Sequence, residues 1–118
     1  MKPLVSAEIE AFAEAHSVPE SGVCRALWEE TCRVMEYPQM FVGSLEGAFL
    51  KIIAQLGQAK HVLEAGIFTG YSALCLAEAF AEDGRVTTCE IDEDCSRLFS
   101  RGSCSLLTGQ EQVREAQL

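Results

Sequence analysis

The residues with chemistry to offer gather in two short stretches. Val62–Ser72 reads V-L-E-A-G-I-F-T-G-Y-S, an apolar run carrying Glu64 that passes through Gly66 and Gly70 into a helix-forming segment opened by Tyr71 and Ser72. Glu90 stands 24 residues after Gly66, near the end of the β-branched run Arg85–Ile91. A glycine directly after a strand lets the backbone turn sharply and lets a ligand approach with no Cβ in the way. A helix opening at Gly70–Ser72 presents free N–H groups and a positive dipole end, which favour a carboxylate or a phosphate. A carboxylate ending a neighbouring parallel strand lies at the carboxyl edge of the sheet, where ligands bind, and can accept both hydroxyls of a ribose.

Three ligand classes compete for such a loop. A nicotinamide or flavin dinucleotide asks for G-x-G-x-x-G, whose second glycine admits the pyrophosphate. Here Gly66-Ile67-Phe68-Thr69-Gly70 puts bulky residues in that place. A nucleoside triphosphate asks for G-x-x-x-x-G-K-[ST], and the loop has no lysine. Glu64 would repel a pyrophosphate and attract an ammonium group. A ribose, an amino-acid end and no phosphate describe S-adenosylmethionine. Each residue also has a plainer reading: Glu64 as a solvated strand-end carboxylate, Ser72 as an ordinary first-turn residue, Glu90 as one more acid beside Asp92, Glu93 and Asp94.

The elements that must position these groups follow from periodicity. Ser6 is set to cap a helix over Ala7–Ala15, with Ile9, Phe12 and Ala13 at helical spacing. Ser17-Val18-Pro19-Glu20 has capping-box spacing and predicts a second helix running to about Val34. Pro38 ends that pattern. Met40–Gly43 reads as extended or loop, and Ser44 as the cap of a third helix. Leu45, Phe49, Leu50, Ile52, Ile53 and Leu56 give that helix a broad apolar face, which predicts deep burial, with Gly57 at its C-terminus. His61–Ala65 reads as a fully buried parallel strand. Tyr71–Glu82 is a helix, Asp83-Gly84 a turn, and Arg85–Ile91 a second strand. Strand, helix and strand in about 30 residues make a right-handed βαβ unit. After Asp92 a helix starting near Glu93–Ser96 is interrupted by Gly102–Ser105; Leu106-Leu107 is too short to assign, and Gln110–Leu118 reads as a frayed helix. The fold class is therefore α/β: N-terminal helices over 1–37, a cofactor-binding βαβ unit over 40–92 of a Rossmann-like sheet, and a divergent tail over 93–118, all in a single 118-residue domain.

Composition narrows the partners. A net charge of −9 with no basic run argues against nucleic acid, because phosphate contacts need clustered Lys and Arg. No apolar run nears the roughly 18–20 residues of a membrane span, and Met1–Glu20 resembles neither a signal nor a transit peptide, so the expected location is the cytosol. Of the six cysteines none forms C-x-x-C, and all six are expected as thiols. His16 should bond the carbonyls of its helix end, His61 should lie at an edge, and Trp28 and Phe41 read as core or interface. The N-terminal helices could serve a homodimer.

Met40–Asp92 resembles the cation-dependent O-methyltransferases of the catechol and caffeoyl-CoA type. The resemblance rests on E-A-G-I-F-T-G-Y-S, the preceding G-S-L-E-G helix start, A-E-D-G-R-V and C-E-I-D. It implies a class I methyltransferase sheet, S-adenosylmethionine as cofactor and a small phenolic or catechol-like hydroxyl as methyl acceptor. It also assigns roles: Val42 gives backbone contacts to the methionine end, Glu64 faces the amino group, Gly66 and Ile67 line it through their backbone, Ser72 binds the carboxylate, and Glu90 holds the ribose. Ala65 replaces a larger aliphatic residue. The family's divalent cation (Mg2+ type) is held by later Asp and Asn residues beside a lysine base, yet no Asp or Asn follows Asp94 and no lysine follows Lys60. The expectation is thus a chain truncated relative to the family, or completed by a partner, with catalysis by this chain alone doubtful. A non-catalytic cofactor-binding or assembly module is the alternative; a nicotinamide-dependent oxidoreductase is disfavoured by the loop.

Overall fold

A computed structural model describes residues 5–80, 84–92, 94–95 and 114–116. The chain runs α1 (Ala7–Ala15), α2 (Gly22–Val34), a 3-10 turn (Pro38–Met40), α3 (Gly43–Leu56), β1 (His61–Ala65), α4 (Tyr71–Ala79), β2 (Arg85–Cys89) and β3 (Arg114–Ala116). The three strands form one parallel sheet in the order β1-β2-β3, with His61 opposite Arg85 and Ala65 opposite Cys89. Parallel neighbours put both strand ends, and so the Gly66 loop and Glu90, on the same edge.

α4 organises the packing. One side contributes Ala73, Leu76 and Ala77 to a core with Ala54 of α3, Ile67 of the loop and Val86 of β2. Another side sets Leu74, Tyr71 and Cys75 against Cys24 of α2. Its small residues allow both approaches, while Ile67 and Leu74, each buried, contribute about 1.5–3 kcal/mol apiece.

Several expectations hold. α1 and β1 have the bounds read from the sequence, Gly57 is the C-cap of α3, and His16 takes the C-cap of α1 with its ring nitrogen 2.7 Å from the Phe12 carbonyl. The helix after the loop ends at Ala79, with residues 81–83 outside the description, and the second strand stops at Cys89, leaving Glu90 just beyond it. Trp28 and Phe41 pack against each other at a tilt of 44°, with ring centroids 4.5 Å apart. The described cysteines are all free thiols; Cys104, with most of the 93–118 tail and Leu106-Leu107, lies outside the described residues.

Other expectations are corrected. α2 starts at Gly22, capped by Ser21, whose oxygen accepts from the Cys24 N–H. Ser17 instead donates to the Ala13 carbonyl and closes α1, and Glu20 is drawn away to the Tyr71 hydroxyl at 2.8 Å. α3 begins two residues early: Val42 is its cap and Gly43 enters with φ 77°, so Ser44 lies inside the first turn. That helix is also far less buried than its composition implied. The sheet and α4 cover Gly47 and Ala54, while Phe49, Ile52, Ile53 and Leu56 form an exposed stripe at i, i+3, i+4, i+7. β1 is likewise not a fully buried strand: it is an edge of the sheet among the described residues, with Leu63 72% exposed. Arg114–Ala116 is a strand and not a frayed helix, since the open side of β2 offers a ladder opposite Thr87–Cys89 that local propensity does not register.

Candidate functional site

The loop after β1 is shaped by three residues in left-handed conformation. Gly66 has φ 86°, and its N–H donates to the Cys89 carbonyl at 2.8 Å, extending the β1–β2 ladder one step into the turn. A Cβ built on Gly66 meets nothing within 4 Å, so the outer face of the turn is open space. Phe68 holds φ 50°, a region a bulky side chain occupies at a cost of order 1 kcal/mol or more. Gly70, at φ 93°, donates to the Ile67 carbonyl and caps α4 with no side chain, leaving the first N–H groups of that helix for an anion. Ile67 and Thr69, both buried, anchor the loop from beneath.

The two carboxylates are in opposite states. Glu90 Oε2 accepts the N–H groups of Ile67 (2.9 Å) and Phe68 (3.1 Å), and Oε1 those of Ile91 (2.8 Å) and Asp92 (2.9 Å). Partial burial pushes its carboxyl up, but these N–H groups outweigh that and hold it below the ordinary carboxylate value. Glu64 has a single hydrogen bond among the described residues, as acceptor from the Ser72 hydroxyl through Oε1. Its Oε2 is buried and has no hydrogen-bond partner among the described residues. Burial pushes Glu64 above the ordinary range; the Ser72 hydroxyl opposes this and the nearby Glu90 charge adds to it. A buried acceptor without a donor, on a carboxylate tied to the first turn of α4 through Ser72, is set to receive one from outside.

A second layer holds the loop in place. Thr31 of α2 and Thr69 of the loop, both almost wholly buried, share a 2.9 Å hydroxyl–hydroxyl bond. Phe41 stacks on Tyr71 at 4.1 Å, which sets the Pro38–Met40 turn and the start of α3 over the loop. Val42, Gly66, Ile67 and Ser72 line one small cavity of about 70 Å3 together with Phe68 and Tyr71. The expected cofactor residues therefore meet: these four around the cavity, Glu64 through Ser72, and Glu90 through the Ile67 N–H. Sequence reasoning missed Thr31, Thr69 and Tyr71. Thr69 sits within the glycine pair, but its partner lies 38 residues away and no local pattern points to it. A larger cavity of about 510 Å3, between Glu14, Glu20, Arg25, Trp28 and Phe41, shares only Phe41 with this site.

Among the described residues no group of three or more His, Cys, Asp or Glu side chains could hold a metal ion. S-adenosylmethionine does fit the donors present: an unpartnered carboxylate oxygen for its ammonium, uncapped helix N–H groups for its carboxylate, and an open glycine face.

Comparison with known proteins agrees with the geometry. The O-methyltransferase family model matches residues 14–101. The chain is 37% identical over 78 residues to a catechol O-methyltransferase of Niastella koreensis, covering 65% of this chain and 35% of that protein. In fold it matches the SAH-bound methyltransferase PaMTH1 of Podospora anserina with a TM-score of 0.82 at 20% identity, over 92% of this chain and 47% of the other. It also matches the O-methyltransferase TomG of Streptomyces achromogenes, solved in complex with SAM, with a TM-score of 0.76 at 26% identity, over 92% of this chain and 48% of that one. The chain belongs to the O-methyltransferase family, with the class I S-adenosylmethionine-dependent methyltransferase fold. It spans about a third of the Niastella protein and about half of the two solved structures. No helix among the described residues is long and apolar enough to cross a membrane.

Proposed function

We propose that this chain forms the cofactor-binding half of an O-methyltransferase that moves a methyl group from S-adenosylmethionine to a small phenolic or catechol-like hydroxyl. The observation that carries the reading is Glu64, whose buried Oε2 has no donor among the described residues and whose other oxygen is tied to Ser72, a residue lining the cavity at the Gly66 loop. Glu64 holds the ammonium group. The N–H groups opening α4, with Ser72 beside them, hold the carboxylate. Gly66, Ile67 and Val42 line the methionine end with backbone, and Glu90 takes the ribose hydroxyls. The bound cofactor supplies an electrophilic methyl on sulfonium, open to direct displacement by the acceptor oxygen. The residues named above fix its position, and positioning supplies most of the rate of such a transfer. The TomG and PaMTH1 complexes with SAM and SAH support the cofactor, and the Niastella relative's name supports the acceptor class. Isothermal titration of the chain with S-adenosylhomocysteine tests this: saturable heat at micromolar concentration is expected. Absence of binding by a folded chain would sink the cofactor role.

A second reading, a non-catalytic assembly module, draws on the exposed apolar residues Ile9 and Phe12 of α1 and the α3 stripe. A stable homodimer in sedimentation equilibrium, with no S-adenosylhomocysteine heat, would favour it.

A further inference from the structure

α2 and α4 touch through two sulfurs. Cys24 and Cys75 are both buried, 51 residues apart in sequence, with their Sγ atoms 3.8 Å from one another in a thiol–thiol contact. Polar groups from three helices surround them. Ser21 donates to Glu78 Oε1 at 2.6 Å, Cys24 Sγ lies 3.8 Å from the same oxygen, and Lys51 of α3 is paired with the other oxygen of Glu78. Cys75 is tightly seated, since a Cβ built on Gly47 would come within 2.7 Å of its sulfur. It is nevertheless reachable: a cavity of about 290 Å3, bordered by Val18, Glu20, Lys51, Ile52 and Tyr71, ends on Cys75. The Cys75 hydrogen bond brings Cys24 down to about 7 against its burial, with Ser21 adding to the effect, while Cys75 is pushed well up. Ionisation of the pair therefore falls first on Cys24, with the Cys75 thiol directed at its sulfur.

We propose that Cys24 and Cys75 are a redox-active dithiol that closes to a reversible disulfide when a small peroxide enters the cavity beside Cys75. Cys24 is the more acidic of the two, and transfer of the Cys75 proton to it across the thiol–thiol contact, although uphill, exposes the Cys75 thiolate to the cavity. That sulfur attacks one peroxide oxygen, the O–O bond breaks, and water or an alcohol leaves after taking up a proton. The resulting sulfenic acid is attacked by Cys24, the S–S bond forms, and the hydroxyl departs as water with the remaining thiol proton. Two thiols and one peroxide give one disulfide, with two electrons passing from sulfur to oxygen. The sulfurs must close from 3.8 Å to about 2.05 Å. Gly47 backs Cys75 at contact distance, so the closure falls mainly on α2, which also carries Thr31, the tie to the cofactor loop. The bond braces α2 onto α4 beneath that loop. The inference stands apart from the cofactor assignment, because neither cysteine belongs to that site.

The test is thiol mapping of the full chain. The reduced protein is treated with equimolar hydrogen peroxide, unfolded in N-ethylmaleimide, digested without reduction and weighed by mass spectrometry. The expected product is a linked pair of peptides containing Cys24 and Cys75, about 2 Da below their sum, that dithiothreitol separates. Finding both cysteines alkylated while exposed Cys32 or others took the oxidant would overturn the proposal. A second measurement is thermal: oxidation should raise the melting temperature by on the order of 10 °C through closure of a loop of roughly 50 residues. The rise should vanish in Cys24→Ala and in Cys75→Ser. Its persistence in either variant would overturn the assignment even if the other variant fails to fold.

Discussion

Replacing Glu64 by Gln separates charge from shape at the centre of the proposed cofactor site. In the free chain one carboxylate oxygen takes the Ser72 hydroxyl and the other is buried without a donor. A bound ammonium would supply that donor. A charge-assisted hydrogen bond of this kind contributes about 1.5–3 kcal/mol, so its loss should weaken S-adenosylhomocysteine roughly 10- to 150-fold. Gln keeps the volume and an acceptor for Ser72, and it removes a desolvated charge, so stability at neutral pH should hold or rise slightly. Affinity should also depend on pH. Burial raises Glu64, so the free carboxyl takes up its proton at a higher pH than an ordinary carboxylate, while binding an ammonium favours the ionised form and expels that proton. Affinity therefore falls, by up to about tenfold per pH unit, below the Glu64 pKa, and the Gln variant loses this acid dependence. The stability linkage of Glu64 has the opposite sense. The folded chain holds the proton more tightly than the unfolded one, so this contribution is present below the ordinary carboxylate pKa and lost as pH rises through the raised value. Isothermal titration at pH 5.5 and 7.5, with circular dichroism to check folding, reads all of this. A folded Gln variant binding within threefold of the wild type at pH 7.5 would refute the ammonium role.

Three further outcomes follow from the same geometry. Glu90→Gln removes the anion that gathers four backbone N–H groups, and should destabilise the chain by about 1 kcal/mol at pH 7, a modest figure because the group is partly exposed. Its folded pKa is depressed, so this stability is present above the ordinary carboxylate pKa and lost as pH falls through the folded value; urea titrations below pH 5 should show the variant losing less than the wild type. Thr31→Val should cost about 1–3 kcal/mol by stranding the buried Thr69 hydroxyl, Thr69→Val about 0.5–1.5 kcal/mol because Thr31 keeps the Leu27 carbonyl at 2.7 Å, and the double variant less than their sum, in a urea-denaturation cycle. Gly66→Ala should cost about 1–2 kcal/mol from the left-handed backbone alone, since the methyl meets no atom, and should weaken S-adenosylhomocysteine at least tenfold by filling the open face.

What could be read in the sequence was what neighbours in the chain decide. Ser6 and the spacing of Ile9, Phe12 and Ala13 delimit α1, and the passage from Val62 through two glycines into Tyr71–Ser72 has few backbone solutions. The expected residues of the site were legible for the same reason, because a βαβ unit brings Glu64, Gly66, Ser72 and Glu90 to one edge whatever else the chain does. Distant competition decided the rest. Ser21 displaced Ser17 as the cap of α2, since Glu20 is held by Tyr71 from another helix. The apolar residues of α3 specify that faces exist, not which of them α4 and the sheet will cover. Arg114–Ala116 has no strand signature, and only the open ladder of β2 makes it one.

Glu90 shows how the free site differs from the one the proposed function requires. A carboxylate offers about four acceptor directions, and here all four are taken by backbone N–H groups. Two come from Ile91 and Asp92, in the turn that Glu90 itself begins, and two reach across from Ile67 and Phe68. On the proposed reading a ribose competes with the second pair, because its hydroxyls approach from the loop side. Exchanging Ile67 and Phe68 for ribose hydroxyls turns those two N–H groups toward the ligand and lets Phe68 leave its left-handed conformation. It also enlarges a cavity of about 70 Å3, well short of the roughly 300–1,000 Å3 of ligand pockets. The residue read from sequence as a ribose clamp is thus also the group that ties down the loop at Ile67 and Phe68. Cofactor binding then draws on the difference between the two sets of hydrogen bonds to Glu90, which is smaller than the full strength of either.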